Sequence, residues 1–577
     1  MMMDKNRITR PVPLEKVRIS DRFWTEYVDL VRNTVIPYQW EALNDRVPDA
    51  VPSHAVKNFK IAAGLEEGEF SGFVFQDSDV AKWLEAVGYS LATHPDPELE
   101  RIADGMIDII EKAQQPDGYL DTYFIIKEKG KRWTNLQECH ELYVAGHMME
   151  AAVAYYNATG KRKLLDVMCR FADYIDTVFG DEPEKLHGYD GHQEIELALV
   201  KLYQATGNKK YLKLSQYFID ERGKEPNFIL KEWENRKGFS HWTNQQASPP
   251  DLRYHQAHQP VREQDVAVGH AVRAVYMYTA MADIARETGD KGLFDACKRL
   301  WDNITLKQMY ITGGIGSTHH GEAFTFDYDL PNDTVYAESC ASIGLIFFAH
   351  RMQQMDQNSI YADVMERALF NVVLGSMSRD GKHFFYVNPL DVWPEASEKN
   401  PGRRHVKPVR QKWFGCSCCP PNIARLLASL GQYIYSVHQD TLYTHLYIGG
   451  EAETEMNGET IRICQESDYP WDGTVKIKVD GFNKKSFKLA LRVPGWCRHW
   501  TVCINGLEAG KESRLVNGYL ILDRCWSAAD EVTLVMDMPV ELIQANPKVR
   551  ANAGRVAIQR GPLVYCFEEA DNGKNLS

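Results

Sequence analysis

A tripeptide of the form Ala-Thr-Gly or Glu-Thr-Gly recurs along the first half of the chain. It occurs as Ala158-Thr159-Gly160, Ala205-Thr206-Gly207 and Glu287-Thr288-Gly289. Each copy ends an apolar pattern of helical period, and a charged residue and a second such pattern follow. A glycine at this position is typical of the left-handed residue that ends a helix. The sequence therefore predicts helical hairpins joined in series from about residue 25 to residue 437.

The number of hairpins restricts the fold. Five or six of them fit into about 420 residues, which matches an (α/α)6 barrel, a closed ring of inner helices surrounded by outer helices. An open helical solenoid has the same local pattern. The ring is favoured because the loops between hairpins are long and rich in His, Trp, Tyr and Glu, whereas a solenoid would repeat more regularly.

After residue 437 the pattern changes from helical to alternating. Val475, Ile477 and Val479 alternate with lysines and Asp480, which is typical of a strand with one buried face. Asn-Gly pairs at 505–506 and 517–518 predict two-residue hairpin turns. The predicted fold class is mainly α with a β domain: an (α/α)6 barrel over residues 1–437, followed by an antiparallel β-sandwich region over residues 438–577. That region has room for two sandwiches, the second of them incomplete at its C-terminal end.

Charge and composition exclude several classes of partner. The chain has 66 basic and 79 acidic residues and a net charge of −13, which argues against a nucleic-acid or anionic-membrane surface. No apolar run approaches the ~20 residues of a membrane span, and the polar N-terminus lacks the apolar region of a secretory signal. The twelve cysteines are then expected to be reduced, which predicts a cytoplasmic location. The sequence is compatible with a homodimer.

Cysteines cluster at one point of the sequence. Cys416-Ser417-Cys418-Cys419 runs into two prolines and an apolar helix, and Glu338-Ser339-Cys340 opens another helix about eighty residues upstream. Cysteine sulfur and carboxylate oxygen are zinc ligands, so these two segments predict one tetrahedral Zn²⁺ site. A structural zinc clip and a set of buried free thiols are the alternatives. A thiol at a helix N-terminus ionises readily, and a thiolate is a nucleophile.

Three motifs together resemble a known enzyme family. They are Glu338-Ser339-Cys340, the run Cys416 to Asn422, and Gly321-Glu322-Ala323-Phe324. This combination resembles the zinc-dependent β-L-arabinofuranosidase family, which are retaining glycoside hydrolases with a cysteine nucleophile. The likeness extends from Val35-Ile36-Pro37-Tyr38 to Arg560-Gly561-Pro562-Leu563-Val564, and the Cys-Cys-Pro-Pro-Asn run is its most specific part. The resemblance also implies an (α/α)6 barrel followed by β-sandwich domains.

The resemblance assigns roles to the motif residues. It makes Cys418 the nucleophile and Glu322 the general acid/base, and it leaves Cys416 without a role. It implies four zinc ligands: Glu338, Cys340, Cys418 and Cys419. Taken alone, Glu322 would more often be a solvated loop carboxylate; its place between His319-His320 and Phe324, beside the metal segment, favours the functional interpretation.

Three histidines stand near the starts of predicted inner helices. These are His140, His192 and His270. Each alone would more often be a core or capping residue, but matching positions in successive hairpins indicate one barrel axis. A second metal site is the less favoured alternative, because the residues lie in separate hairpins. The resemblance implies sugar contacts at these three histidines and at Glu366 and Tyr386, with Gln39 as a weaker addition.

The predicted function is therefore that of a retaining exo-glycosidase. It would hydrolyse terminal β-L-arabinofuranosides through a covalent cysteine–sugar intermediate, with a small arabinofuranosyl oligosaccharide or glycopeptide as substrate. One alternative keeps the machinery but changes the sugar to another pectin-derived furanoside. A second is a zinc-dependent transferase or cyclase on an α/α barrel, which needs no essential Glu322. A third is a carbohydrate-binding protein with a structural zinc.

Overall fold

The computed structural model describes residues 8–456, 458–480, 486–510, 513–528, 530–574 and 576; the outermost residues of the predicted domains lie outside these ranges. The helices are α1 (Arg22–Leu30), α2 (Ile36–Leu43), α3 (Ala55–Ala62), α4 (Asp77–Thr93), α5 (Pro97–Ala113), α6 (Thr122–Ile126), α7 (Leu136–Cys139), α8 (Glu141–Thr159), α9 (Lys163–Val178), α10 (Ile195–Thr206), α11 (Lys209–Glu221), α12 (Phe228–Asn235), α13 (Ala271–Thr288), α14 (Lys291–Asn303), α15 (Ser339–Met355), α16 (Ser359–Ala368), α17 (Leu374–Ser376), α18 (Pro394–Lys399), α19 (Cys419–Ala428) and α20 (Glu569–Asn572).

The strands are β1 (Arg10–Pro11), β2 (Val17–Ile19), β3 (Gly269–His270), β4 (Ala323–Phe324), β5 (Tyr435–His438), β6 (Thr441–Thr444), β7 (Gly450–Met456), β8 (Glu459–Ser467), β9 (Thr474–Asp480), β10 (Ser486–Arg492), β11 (Trp500–Ile504), β12 (Leu507–Glu508), β13 (Ser513–Val516), β14 (Tyr519–Cys525), β15 (Glu531–Met536), β16 (Val540–Ile543), β17 (Ala557–Arg560) and β18 (Leu563–Tyr565). Helices therefore occupy the chain up to about residue 430, and strands dominate after it. Within the described ranges, no helix is both long and apolar enough to cross a membrane.

Six helices form a closed cycle of contacts. In order they are α4, α8, α10, α13, α15 and α19; each contacts the next, and α19 contacts α4. The second helix of each hairpin packs outside its partner, as α5 does on α4, α9 on α8 and α11 on α10. The inner helices α8, α13 and α15 are buried on nearly all sides, whereas α5 buries a single apolar face. The prediction of helical hairpins is confirmed.

Glycines end three of the hairpins' first helices as predicted. Gly160, Gly207 and Gly289 have φ of 71°, 72° and 78°, and each N–H closes the last turn of the helix before it. A residue with a Cβ would be strained in this left-handed conformation, which explains why the chain carries glycine there.

The C-terminal strands form two large sheets that share one apolar core. Their strand orders are β1-β5-β6-β10-β14-β13 and β12-β11-β15-β9-β8-β7-β2. Alternate residues of β9 and β10, such as Val475, Ile477, Leu489 and Leu491, are buried in that core. Asn505 and Asn517 have positive φ and begin two-residue turns, as the Asn-Gly pairs predicted. The pairing is antiparallel, as predicted for the sandwich, except at one place, where β6 and β10 run parallel. Strands β7 to β9 belong to the other sheet, so the chain crosses over between β6 and β10.

The start of the chain belongs to these sheets. Strand β1 pairs with β5, and β2 pairs with β7. The range predicted as the helical domain, residues 1–437, thus includes β1, β2 and most of β5. All three strands belong to the two large sheets. Strands β16, β17 and β18 form a separate three-stranded sheet.

Candidate active site

Four side chains with metal-binding atoms meet at the N-terminal ends of α15 and α19. Glu338 directly precedes α15, and Cys340 lies in its first turn. Cys418 directly precedes α19, and Cys419 is its first residue. The Cys340 sulfur lies 3.3 Å from the sulfurs of Cys418 and Cys419. Glu338 Oε1 lies 3.2 Å from Cys418 Sγ. The four donor atoms all lie within 4.8 Å of one another, so they surround a single point.

The local sequence explains how these helix starts are fixed. Prolines occupy the first turn of α19. Proline has no backbone N–H, and at this position an N–H would have no partner within the helix, so no hydrogen bond is lost. On the other side, the Ser339 N–H donates to the Tyr386 carbonyl at 3.0 Å, and Glu338 forms a bridge with Val387. The two helix starts are thereby held against a third segment that carries Tyr386.

The cluster concentrates ionisable groups in a buried place, where negative charge is disfavoured. Burial and the neighbouring Cys418 raise the pKa of Glu338 well above its usual range. Burial and the bonds with Cys340 and Cys418 raise the pKa of the Cys419 thiol. Burial opposes ionisation of Cys340, but its hydrogen bonds with Cys418 and Cys419 outweigh burial, and the pKa of that thiol is lowered to about 7. Glu338 Oε2 is buried and has no hydrogen-bond partner among the described residues. Three sulfurs and one carboxylate suit a tetrahedral Zn²⁺, so the donor set fits this ion.

Glu322 stands on a tight turn beside the cluster. Gly321 and Glu322 have left-handed φ of 70° and 55°. Glu322 Oε2 accepts a hydrogen bond from His270 Nε2 at 3.0 Å, and Oε1 accepts one from the Tyr336 hydroxyl at 3.1 Å. Burial raises the pKa of Glu322, but these two donors outweigh burial, and the net pKa is lowered. Oxygen and nitrogen atoms of His270, Glu322 and Glu338 lie within 4.8 Å of one another, so Glu322 adjoins the thiol cluster.

The three predicted histidines form a row of neighbouring rings. The ring centres of His140 and His192 are 5.5 Å apart, and those of His192 and His270 are 5.4 Å apart. His140 Nδ1 lies 2.7 Å from the Glu138 carbonyl, and His192 Nδ1 lies 2.9 Å from the Gln193 carbonyl. A carbonyl only accepts, so both Nδ1 atoms carry the proton and both Nε2 atoms are acceptors.

His270 has the opposite tautomer. Its Nδ1 accepts from the Arg273 N–H at 3.4 Å, so its Nε2 carries the proton that is donated to Glu322. Burial lowers the pKa of all three histidines, which keeps them uncharged at neutral pH. His270 is therefore positioned to orient the carboxylate of Glu322.

Tyr386 and Gln39 occupy different environments. The Tyr386 hydroxyl lies 2.9 Å from Cys418 Sγ and 3.7 Å from Cys416 Sγ. Gln39 is fully buried in α2, which packs against α4 and α19. Both atoms of its side-chain amide are buried with no hydrogen-bond partner among the described residues. A buried amide without a partner is unusual in a folded protein.

Glu366 is not part of this group, which corrects the prediction. Its Oε1 accepts from Arg492 and from the Tyr469 hydroxyl, and its Oε2 accepts from Trp496 Nε1 at 3.0 Å. All three partners belong to the C-terminal region. The carboxylate is used to join α16 to that region, and we withdraw it from the predicted sugar contacts.

Sequence reasoning missed several residues of the site. Tyr336 was missed because a single loop tyrosine shows no pattern, and its closeness to Glu338 in sequence was the only signal. Lys82 is fully buried and donates to the Tyr143 hydroxyl at 2.7 Å. Tyr143 in turn packs 4.5 Å from His192. A lysine inside the apolar run of α4 was the available signal.

All six helices of the closed cycle have their N-terminal ends at the site. The site residues stand at or just before the first turns of α8, α10, α13, α15 and α19, and Lys82 lies in the second turn of α4. The N-terminal end of a helix carries partial positive charge. Six such ends favour the thiolates and carboxylates that collect here.

Comparison with known proteins identifies the family. Residues 16–432 match the family described as beta-L-arabinofuranosidase, GH127 catalytic domain, and residues 441–538 and 540–577 match its middle and C-terminal domains. The chain belongs to the GH127 β-L-arabinofuranosidase family. A non-reducing end beta-L-arabinofuranosidase of Bifidobacterium longum subsp. longum is 46% identical, over 97% of this chain and 87% of that protein.

Solved structures of GH127 proteins have the same fold. A GH127 beta-L-arabinofuranosidase from Geobacillus stearothermophilus T6 is 60% identical with a TM-score of 0.94, and the match covers 97% of this chain and 87% of that one. A second GH127 beta-arabinofuranosidase is 38% identical with a TM-score of 0.87, covering 99% and 87%. The similarity therefore includes both the helical part and the strands.

Proposed function

We propose that the protein is a retaining, zinc-dependent exo-β-L-arabinofuranosidase in which Cys418 is the nucleophile and Glu322 the general acid/base. The observation that carries this is the position of Glu338. Its carboxylate lies 3.2 Å from Cys418 Sγ and within 4.8 Å of the Glu322–His270 pair. Nucleophile and acid/base thus flank one carboxylate, which supports their acting on the same glycosidic bond. The names of the similar proteins support the choice of sugar.

The four residues that would hold the zinc are Glu338, Cys340, Cys418 and Cys419. Bound there, zinc would keep the thiols ionised and offset much of their negative charge. The unpartnered Glu338 Oε2 and the mutual crowding of these groups support this ligand set. Cys416 is left outside it.

In the first step Cys418 attacks the anomeric carbon while Glu322 protonates the departing oxygen. Glu322 must be protonated for this, yet hydrogen bonds from His270 and Tyr336 lower the pKa of its carboxyl. Each carboxyl oxygen has a second lone pair, so Glu322 can carry a proton toward the leaving oxygen while His270 and Tyr336 still donate to it. Low pH favours the protonated acid, so cleavage of poor leaving groups is expected to be fastest in mildly acid solution.

In the second step Glu322, now ionised, removes a proton from water. The water attacks the anomeric carbon, the bond to Cys418 Sγ breaks, and the sugar leaves with its original anomeric configuration. His270 and Tyr336 hold the carboxylate in place for this step, since both donate to it.

The remaining pocket residues would bind the arabinofuranosyl ring. The Nε2 atoms of His140 and His192 are acceptors for sugar hydroxyls, and the unpartnered amide of Gln39 offers both a donor and an acceptor. Tyr386 lies against Cys418 and would contact the sugar near the reacting carbon. We further propose that the helices form an (α/α)6 barrel, which the closed cycle of α4, α8, α10, α13, α15 and α19 supports.

The test is hydrolysis of an aryl β-L-arabinofuranoside followed by proton NMR. The first product is expected to be the β-anomer, with the α-anomer appearing only by later mutarotation. Initial release of the α-anomer would exclude a retaining mechanism. Tight sugar binding without turnover would indicate a carbohydrate-binding protein.

Metal analysis tests the cofactor separately. Protein purified without added metal is expected to carry one zinc per chain, and Cys340→Ser should lose metal and stability together because ligand binding and folding are linked. A fully active preparation free of metal would contradict the proposal.

A further inference from the structure

A row of aromatic rings leads outward from the nucleophile past the acid/base. Tyr386, which contacts Cys418, has its ring centre 6.0 Å from that of Tyr336. Tyr336 faces His405 at 6.2 Å with the planes 29° apart. His405 stacks on His319 at 4.2 Å and 14°, and His319 lies 4.0 Å from His320. The row begins in the interior and ends at the exposed His320.

The outer part of this row belongs to the same turn as Glu322. Backbone bonds of 3.1 and 3.2 Å join Thr318 and Ala323, and Ala323 pairs with His270 in the β3–β4 ladder. His319 and Glu322 are thus presented by one closed turn. A group that contacts His319 is therefore held at a fixed position relative to the carboxyl of Glu322.

Hydrogen bonding and charge fix what these imidazoles can recognise. His405 Nε2 lies 3.2 Å from the Thr334 carbonyl and so carries the proton, which leaves Nδ1 as an acceptor. Burial and the neighbouring imidazole in each case lower the pKa of His319 and His405, so both are uncharged at neutral pH. The faces of His405 and His319 pack on each other, so their edges, which carry uncharged ring nitrogens, are what the hydroxyls of a sugar can contact.

The geometry points to a leaving-group subsite formed by Tyr336, His405 and His319, which binds an uncharged second sugar ring. This inference rests on the proposed function. Glu322 must reach the glycosidic oxygen, so the leaving group lies on the Glu322 side of the arabinofuranosyl ring. Tyr336 donates to Glu322 and is the first ring on that side. The departing ring would lie along the row and leave past His320.

A second aromatic surface lies beyond the His140 end of the histidine row. Phe73 and Trp242 are 39% and 47% exposed, and Phe75 lies 4.9 Å from His140. This surface adjoins the far end of the histidine row from Glu322. It is the natural comparison, because a leaving group placed there would be out of reach of the acid.

The experiment compares two substrates that differ only in the leaving group. One is a β-L-arabinofuranosyl disaccharide, and the other is the methyl β-L-arabinofuranoside, which has no second ring. For His319→Ala and for His405→Ala, the ratio of kcat/KM for the disaccharide to that for the methyl glycoside is expected to fall about tenfold. Trp242→Ala is expected to leave this ratio within about twofold of the parent value. His187→Ala, an exposed histidine on another loop, is the matched control.

Each result has one meaning. An unchanged ratio in both histidine variants, or a selective loss in Trp242→Ala, would overturn the subsite. A distortion of the Glu322 turn in His319→Ala would lower kcat/KM for both substrates and so leave their ratio unchanged. His405 lies on a separate loop, so His405→Ala tests the subsite without disturbing that turn. If the parent enzyme hydrolyses neither substrate, the proposed function itself fails, which is a different result from an unchanged ratio.

Discussion

Three residues in or beside the site have backbone conformations that non-glycine residues rarely adopt. His140, Glu322 and Ala337 have φ of 58°, 55° and 43°. Each such conformation costs about 1–3 kcal/mol and persists only where the surrounding structure imposes it. Ala337 is held by its N–H to the Gly316 carbonyl and directly precedes Glu338. The strain thus lies at His140, at Glu322 and at the residue directly before Glu338, three places where side chains of the candidate site are aimed.

Cys418 is expected to be the residue that becomes attached to the sugar. A mechanism-based furanose electrophile should label it, and peptide mass mapping should locate the label. Cys418→Ser should lower kcat about a thousandfold or more, because a serine hydroxyl is a far weaker nucleophile than a held thiolate. Cys416→Ser is the matched control and should retain most of the activity. A label on Glu338 or Glu322 would indicate a carboxylate nucleophile instead.

Glu322→Gln should separate poor from good leaving groups. Substrates with sugar leaving groups should slow about a thousandfold, since they need a proton from the acid. Activated aryl glycosides should still complete the first step and accumulate the covalent intermediate, which a burst of aryl alcohol measures. Azide should then restore part of the turnover. Equal losses for both substrates, with no burst and no rescue, would show that Glu322 is not the acid/base.

Tyr336→Phe should change the pH profile rather than abolish activity. The Tyr336 hydroxyl stabilises the ionised form of Glu322 and so lowers its pKa. Without it the pKa rises, and more of the acid stays protonated at a given pH. The alkaline limb of kcat/KM for poor leaving groups should therefore move to higher pH by about 0.5–1 pH unit. Tyr565→Phe, on an exposed strand, should leave the profile in place; a shift to lower pH in Tyr336→Phe would refute the assignment.

The site residues differ in how far the sequence could predict them. The four clustered donors, Cys418 among them, were predictable because their spacing at two helix starts is a local pattern. Glu366 was misassigned because its use depends on Arg492, which is more than 120 residues away. His270 was predicted to contact sugar, but the structure places its Nε2 on Glu322, a pairing that no local pattern indicates.

At the scale of elements, α19 is fixed by one buried arginine. Arg425 Nη1 donates to Glu85 of α4 at 2.7 Å and to Glu150 of α8 at 2.6 Å. Its Nη2 lies 3.0 Å from the hydroxyl of Tyr276 in α13. A planar guanidinium offers donors in several directions, which suits a link among four helices. The helix start that carries Cys418 is thus anchored two turns further along.

Arg425→Met should destabilise the protein by about 3–5 kcal/mol, because it leaves the buried Glu85 and Glu150 short of compensation. Urea unfolding measures this loss, and zinc content of the folded fraction should fall with it. Arg425→Lys keeps the charge but loses the several donors of the guanidinium group. Its free energy of unfolding should lie between those of Arg425→Met and the parent. Arg101→Met, at an exposed pair, is the control and should unfold like the parent. An unchanged zinc content in a strongly destabilised Arg425→Met would show that α19 is fixed by other contacts.

Elements were predictable where their signals are local. The hairpins end at glycines that local sterics require, so their positions followed from the sequence. The parallel pairing of β6 with β10 did not, because it depends on where β7 to β9 are placed, and that is decided by packing between sheets. The pairing of β1 with β5 likewise joins residues more than 400 positions apart.

At the scale of the whole molecule, a buried ion pair joins the helical part to the β region. Arg492 of β10 is fully buried and contacts both Glu366 and Asp363 of α16. Tyr469 and Trp496 complete the contacts of Glu366. The β region therefore supplies the buried cation of this contact, and the helical part supplies its carboxylates.

Glu366→Gln should weaken this junction without changing sugar binding. The loss of the carboxylate leaves part of the Arg492 charge uncompensated, so unfolding should become easier by about 3 kcal/mol. The KM for an aryl β-L-arabinofuranoside should stay within about twofold of the parent value at temperatures where the variant is folded. A tenfold rise in KM with unchanged stability would restore Glu366 as a sugar contact. Glu398→Gln, on an exposed helix, is the control.

The pairing of β1 and β2 with late strands has a consequence for biosynthesis. Strand β2 pairs with β7, whose residues leave the ribosome about 430 positions later. At ordinary rates of translation this takes on the order of 20 to 90 seconds. During that time the first residues have no sheet to join, and α4 carries Lys82 and Glu85 before Arg425 exists. The sheets that contain β1 and β2 are therefore expected to be completed only when translation is nearly finished.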